Sequence, residues 1–186
     1  VVAPRLGAEA RPALCARIEA LLESVNARMS TYRPDSELSR FNASASMDWQ
    51  PVSAELLEVL AAARRVSEAS DGAFDVTVGP LVDLWGFGPQ ARIDAPPSGE
   101  AIAAARARVG YRQVELDETG SRVRKLRADV RVDLSALAEG WAVDQVVKLL
   151  EAEGLVDFLV DVGGEMRVRG RNADGLPWRL GVALPR

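Results

Sequence analysis

The chain has 186 residues, 48% apolar and 27% charged, with a net charge of −4 from 23 basic and 27 acidic side chains, the make-up of one ordinary domain or a lobe of a larger one. That balance argues against nucleic acid as a main partner, which needs concentrated Lys and Arg, and no apolar run approaches the length of a membrane-spanning helix. Cys15 is the only cysteine and histidine is absent, so these residues hold no internal disulfide, cysteine zinc site, Ser-His-Asp triad or histidine base; their chemistry runs on carboxylates, hydroxyls, backbone groups or an oxygen-ligated metal.

Val1-Val2 resembles the tail of a strand. Leu14, Ile18, Leu21, Leu22, Val25 and Met29 recur at three and four, which predicts an amphipathic helix over roughly 10–29, with Cys15 packed inside it. "STYRPDSELSRFN" (30–42) reads as a polar loop broken by Pro34. "PVSAELLEVLAAARRVSEAS" predicts a second helix, capped by Ser53 and closed by Asp71-Gly72. After a Gly-rich stretch, "APPSGEAIAAARARVG" predicts a third helix, capped by Ser98 and ended by Gly110. "YRQVELDE" and "SRVRKLR" alternate around Thr119-Gly120 and read as a hairpin, the basic run forming a solvated face. "DVRVDLS" reads as a short strand entering the helix "ALAEGWAVDQVVKLLEAEG". "VDFLVDVGGEMRVRG" reads as one strand containing Gly163-Gly164, and "PWRLGVALP" (177–185) as another. Helices first and antiparallel strands later predict an α+β fold in a single domain over 1–186. Both ends read as cut, with raw sheet edges that neighbouring segments would cover.

Three stretches concentrate chemistry-bearing residues. In "SDGAFDVTVGPLVDLWGFG" (70–88), Gly72 permits a sharp turn off a helix, so that Ala73, Phe74 and Asp75 offer backbone N–H groups and a carboxylate to a ligand. The competing reading is a rigid loop whose Asp75 and Thr77 bond only to backbone, with Trp85 and Phe87 as core anchors. In "VDLSALAEGWAVD" (132–144), Asp133 stands where a strand hands over to a helix, and Ser135 and Ala136 stand at the helix start, a place suited to phosphate. Asp133 serves there as a ligand to a ribityl or ribose hydroxyl, as a holder of an oxygen-coordinated cation, or as a plain N-cap. Glu139 and Gly140 follow within the first turns. In "LVDVGGEMRVRG" (159–170), two glycines inside a strand imply a close approach of ligand or backbone, or a bulge against a helix.

Together these stretches resemble the ApbE family, the FAD:protein FMN transferases. "MSTYRPDSELSRFN", "SDGAFDVTVGPLVDLWGFG", "VDLSALAEGWAVD", "LVDVGGEMRVRG" and "LPWRLGV" occur in the family's order and cover nearly the whole chain. The resemblance implies a T-fold-like α+β architecture and a periplasmic or membrane-anchored enzyme. Its implied reaction splits FAD at the pyrophosphate with magnesium, transfers FMN to a Thr hydroxyl of a target flavoprotein and releases AMP. It further implies that Ala73, Phe74, Asp75 and Asp133 contact FAD, that Tyr32 lies against the isoalloxazine, and that Ala136 offers its carbonyl to the metal. Glu139 occupies a position where many relatives carry a ligand-facing Lys. Family segments before Val1 and after Arg186, the latter bearing a catalytic histidine and an Asp/Thr pair of the magnesium site, are expected outside these residues. Two other readings stay open: a module that stores FAD without transferring it, and a purely structural domain.

Overall fold

The structure, a computed structural model, describes residues 1–88 and 94–181. The chain divides into two compact units: Ser24–Ala138, and a second built from Val1–Glu23 with Glu139–Arg186. The division falls within two long helices, α1 (Arg11–Met29) and α6 (Ser135–Ala152).

In the larger unit, the stretch read as a polar loop contains a helix, α2 (Glu37–Ala43). Ser36 caps it by accepting from the Ser39 N–H, and Leu38 and Phe41 are buried beneath it. Two apolar residues three apart are enough to seat one turn of helix when the cap is in place; Pro34 precedes the helix and so does not interrupt it. Next come β1 (Gln50–Pro51) and α3 (Ala54–Ala69). As expected, Ser53 caps α3, its hydroxyl accepting from Leu56 N–H at 3.2 Å. Glu37 reaches the same cap, accepting from the Ser53 N–H and hydroxyl at 2.6 Å each.

The end of α3 also matches the sequence reading. Gly72 N–H donates to Ser67 O and Asp71 N–H to Glu68 O, with φ of 50° at Asp71 and 80° at Gly72. This is a Schellman-type stop, and the consecutive positive φ angles explain why glycine is needed there. Helices α4 (Gly79–Leu84) and α5 (Gly99–Arg106) follow, α5 capped by Ser98 and ending before Gly110.

Strands β2 (Val114–Asp117) and β3 (Arg122–Lys125) form the expected hairpin, with Val114 opposite Lys125 and Asp117 opposite Arg122; β1 adds an antiparallel third strand beside β3. The basic run is not wholly solvated. Val123 and Lys125 point inward and are fully buried, and Leu126 is exposed. Lys125 Nζ donates to the carbonyls of Asn42 (3.1 Å) and Ser44 (2.7 Å), at the C-terminal end of α2, and stands 5.1 Å from the Phe41 ring centre. Cations suit the negative end of a helix, so carbonyl dipoles stand in for a carboxylate here.

Residues 130–134, expected as a strand, carry no strand ladder. Val130, Val132 and Leu134 are buried at alternate positions, and Val132 and the Asp133 N–H are held by a side chain and a loop, as described below.

The smaller unit packs Leu14 of α1 against Val143, Val146, Val147 and Leu150 of α6 and against Phe158 and Val160 of β4 (Phe158–Val162). The stretch read as one strand is a hairpin. Gly163-Gly164, with φ of 63° and 100°, turns β4 directly into β5 (Glu165–Arg169), with Val162 opposite Glu165. Positive φ at both central residues matches the strand twist, which a bulge would not require. Arg167 and Arg169 of β5 pair with Asp144 (2.5 Å) and Glu151 (2.7 Å) of α6. Val2 exchanges backbone bonds of 2.8 and 2.9 Å with Leu159, so the opening residues do behave as a strand end. Cys15 is exposed rather than packed, because it lies off the Leu14–Ile18 face of α1. Of the strand expected over 177–185, the described part holds only a bridge between Arg171 and Pro177; residues 182–185 lie outside the described residues.

Candidate functional site

The 70–78 loop is built by side chains bonding to backbone. Asp75 Oδ1 accepts from the Thr77 N–H (2.8 Å) and hydroxyl (2.6 Å), while Asp75 Oδ2 accepts from Tyr111 N–H (2.7 Å). Thr77, fully buried, accepts from Gly110 N–H at 2.6 Å. The Asp-Val-Thr sequence thus closes its own turn and fastens the 110–111 corner, more than thirty residues away. Ala73 N–H donates to Ser70 O at 3.1 Å and Phe74 N–H to Ser70 Oγ at 3.0 Å. The expectation that these two N–H groups face a ligand is therefore corrected, since each has an internal acceptor. What Ala73 and Phe74 offer a ligand is surface.

Asp133 behaves differently. Its Oδ1 accepts from the Ser135 N–H (2.8 Å) and hydroxyl (2.6 Å), an Asx turn that opens α6. Its Oδ2 accepts no hydrogen bond from the described residues. Leu137 and Ala138 N–H groups both donate to Leu134 O, whereas the Ala136 N–H has no acceptor among the described residues. One free amide and one free carboxylate oxygen therefore remain at the positive end of α6.

These residues surround one cavity of about 430 Å³, lined by Tyr32, Ala73, Phe74, Asp75, Asp133 and Ala136 among others, a size within the range of small-molecule sites. Tyr32 is exposed at its edge and donates from its phenol to Phe87 O at 3.2 Å. Phe87 and Trp85, expected as core anchors, are 74% and 41% exposed, and Phe87 also lines the cavity. The cause is the end of α4: Phe87 N–H donates to Val82 O and Gly86 N–H to Asp83 O, which turns the chain outward. Glu139 does not line this cavity. It belongs to the smaller unit, where its exposed carboxylate occupies the space that a Cβ on Gly163 would need.

Among the described residues, the cavity's ionisable carboxylates are Asp75 and Asp133, and no described Lys or Arg lines it. Among the described residues there is no group of three or more acidic side chains able to enclose a metal ion. Magnesium, however, commonly takes one or two carboxylates and completes its shell with water and substrate phosphates. Asp133 Oδ2 and the Ala136 carbonyl, which has a second lone pair beyond the helix ladder, fit that shared mode. They do not fit an all-protein cage.

Sequence reasoning missed Asn42. Its Nδ2 donates to Val132 O and its Oδ1 accepts from Val132 N–H, both at 2.8 Å, while Asp133 N–H donates to Val76 O at 2.7 Å. An asparagine at the end of an unrecognised helix gave no local signal of this.

The ApbE family profile matches residues 2–186. The FAD:protein FMN transferase of Vibrio cholerae is 46% identical over 168 residues, covering 90% of this chain and 50% of that protein. That of Escherichia coli K12 is 39% identical over 184 residues, covering 98% of this chain and 52% of that protein. Among solved structures, a flavin transferase ApbE from Vibrio cholerae superposes with a TM-score of 0.88 at 46% identity, over 92% of this chain and 55% of that one. The apo flavinyl transferase ApbE of Pseudomonas stutzeri gives 0.85 at 41% identity, over 92% and 56%. The chain thus spans about half the length of the curated relatives it matches, and their mixed helix and antiparallel-sheet architecture is the one described above.

Proposed function

The chain belongs to the ApbE family, and from that premise we propose that it supplies the flavin-nucleotide-holding part of an FAD:protein FMN transferase. The observation that carries this reading is the meeting of Tyr32, Ala73, Phe74, Asp75, Asp133 and Ala136 around one cavity. In the proposed reaction a Thr hydroxyl of an acceptor flavoprotein attacks the FMN phosphorus of FAD. A new P–O bond forms to the Thr oxygen, the pyrophosphate P–O bond breaks, AMP leaves with the bridging oxygen, and the hydroxyl proton passes to solvent. Such transfers depend on positioning and charge compensation more than on a covalent catalyst.

Each residue then has a separate task. Tyr32 presents its ring to the isoalloxazine, and Ala73 and Phe74 supply wall. Asp75 holds the loop and lines the cavity. The Ala136 N–H meets a phosphate oxygen at the helix end. Asp133 Oδ2 takes a sugar hydroxyl or shares a cation with the Ala136 carbonyl. The two carboxylates that line the cavity repel a pyrophosphate, and a cation beside the phosphates would offset that repulsion; this supports the magnesium requirement. Magnesium, when bound, would neutralise charge on the phosphates. Glu139 is proposed to act on the adenine or ribose side, and a periplasmic or membrane-anchored location is proposed on the family resemblance.

The test incubates the whole protein with FAD, Mg²⁺ and a Thr-bearing acceptor. The expected result is a fluorescent acceptor band on a denaturing gel, an acceptor mass raised by FMN, and release of AMP. Chelation should abolish the band and spare much of the FAD binding. Bound FAD with no band under any metal condition would favour storage over transfer, and no flavin binding at all would leave a structural role.

A further inference from the structure

We propose that Asn42 is a positioning residue for the flavin site: it substitutes for a missing strand partner and thereby sets the placement of Asp133. This rests on the reading of Asp133 as a flavin-nucleotide contact.

Residues 130–134 are alternately buried, yet no strand among the described residues pairs with them. A buried backbone N–H or C=O left unsatisfied is costly, so the segment needs another partner. The Asn42 amide provides both atoms at once, accepting from Val132 N–H and donating to Val132 O at 2.8 Å each. That two-point exchange copies one residue pair of an antiparallel ladder. On the next residue the Asp133 N–H is taken by Val76 O, at 2.7 Å. Val132 and Asp133 are thus clamped by different parts of the fold, and the Asp133 side chain is left to open α6.

Asn42 is itself held. Leu38 and Phe41 sink α2 into the core, and the buried Lys125 ammonium grips the carbonyls of Asn42 and Ser44. At the opposite end of α2, Ser36 and Ser39 hydroxyls both donate to Ser30 O, at 2.6 and 3.1 Å, and Ser30 Oγ accepts from Tyr32 N–H at 3.2 Å. One seven-residue helix therefore braces residues on two parts of the cavity lining, Tyr32 and Asp133. Asn42 itself is not among the residues lining the cavity.

The test is a double-mutant cycle on FAD affinity in the whole protein. Asn42→Asp keeps the acceptor for Val132 N–H and loses the donor to Val132 O. We expect Asn42→Asp and Asp133→Ala each to weaken FAD binding about tenfold, and the double variant to be no weaker than Asp133→Ala alone. The Tm loss from Asn42→Asp, in contrast, should be the same in both backgrounds. Losses that multiply to about a hundredfold, or an unchanged affinity in Asn42→Asp, would overturn the proposal while leaving the flavin site intact. An unchanged affinity in Asp133→Ala would take down the reading beneath it as well. If Asn42→Asp does not fold, Lys125→Met repeats the cycle: it is of similar volume, frees the end of α2, and should weaken binding about threefold only where Asp133 is present.

Discussion

Two acidic turns flank the cavity, and they are built alike but used differently. Asp75-Val76-Thr77 and Asp133-Leu134-Ser135 each place a carboxylate two residues before a hydroxyl, and in each the Oδ1 accepts from that residue's N–H and side chain. At Asp75 the second oxygen is spent as well, on Tyr111 N–H, and Thr77 is buried. At Asp133 the second oxygen has no donor among the described residues, and Ser135 is exposed. An Asx turn whose second oxygen is tied to a distant backbone serves the fold; one whose second oxygen stays open keeps an acceptor available to a ligand. Motif spacing cannot separate the two, because the separating bond comes from Tyr111, more than thirty residues away, and no described residue makes its counterpart at Asp133.

Two substitutions can break that contrast, and a third prediction concerns a buried charge elsewhere in the same unit; they run in order of expected effect. Asp75→Ala removes the acceptor of three donors, two of them backbone N–H groups, so about 3 kcal/mol of stability should be lost, or a Tm fall of roughly 6–12 °C. Thermal or urea unfolding measures it, and a loss under 1 kcal/mol would mean that Asp75 does not hold the loop. Asp133→Ala should do the reverse. Stability falls by only about 1 kcal/mol, the value of a cap, while FAD affinity drops about tenfold or more by titration. A variant of Asp133 that unfolds like the Asp75 variant would erase the distinction.

The smallest effect concerns a buried charge whose hydrogen bonds go to carbonyls. Burial pushes the Lys125 ammonium below its ordinary value, with Arg131 adding to the depression. The folded state therefore binds fewer protons than the unfolded state between the lowered value and lysine's usual 10.4 or so, and stability should rise with pH across that window. Below it both states are charged and the contribution is flat. Lys125→Met should remove this rise, and an unchanged stability slope between the two proteins in alkaline solution would show that Lys125 is not its source.

Features set by neighbours in the chain were legible in the sequence. Ser53 and Ser98 announce their helices, Asp71-Gly72 stops one, and the 114–125 hairpin follows from alternation about its turn. Features set from far away were not. Lys125 reads as solvated because its carbonyl partners lie about eighty residues earlier. Trp85 and Phe87 read as core because aromatic rings usually are, but the stop of α4 faces them outward. Gly163-Gly164 was read as an interruption in one strand, although the residues on either side alternate equally well as two. Of the cavity rim, Ala73, Phe74, Asp75 and Asp133 stand out by spacing and Tyr32 only through resemblance. The division into a tied and an open carboxylate depends on the distant Tyr111 N–H, which no local pattern announces.

The outward face of α1 at Cys15 has a practical corollary. Within this stretch of chain a maleimide dye or spin label has one thiol to find, already at the surface, so an optical or magnetic reporter attaches at a defined address with no engineered cysteine. Titrating FAD against that reporter would ask whether filling the cavity is sensed along the helix that carries it.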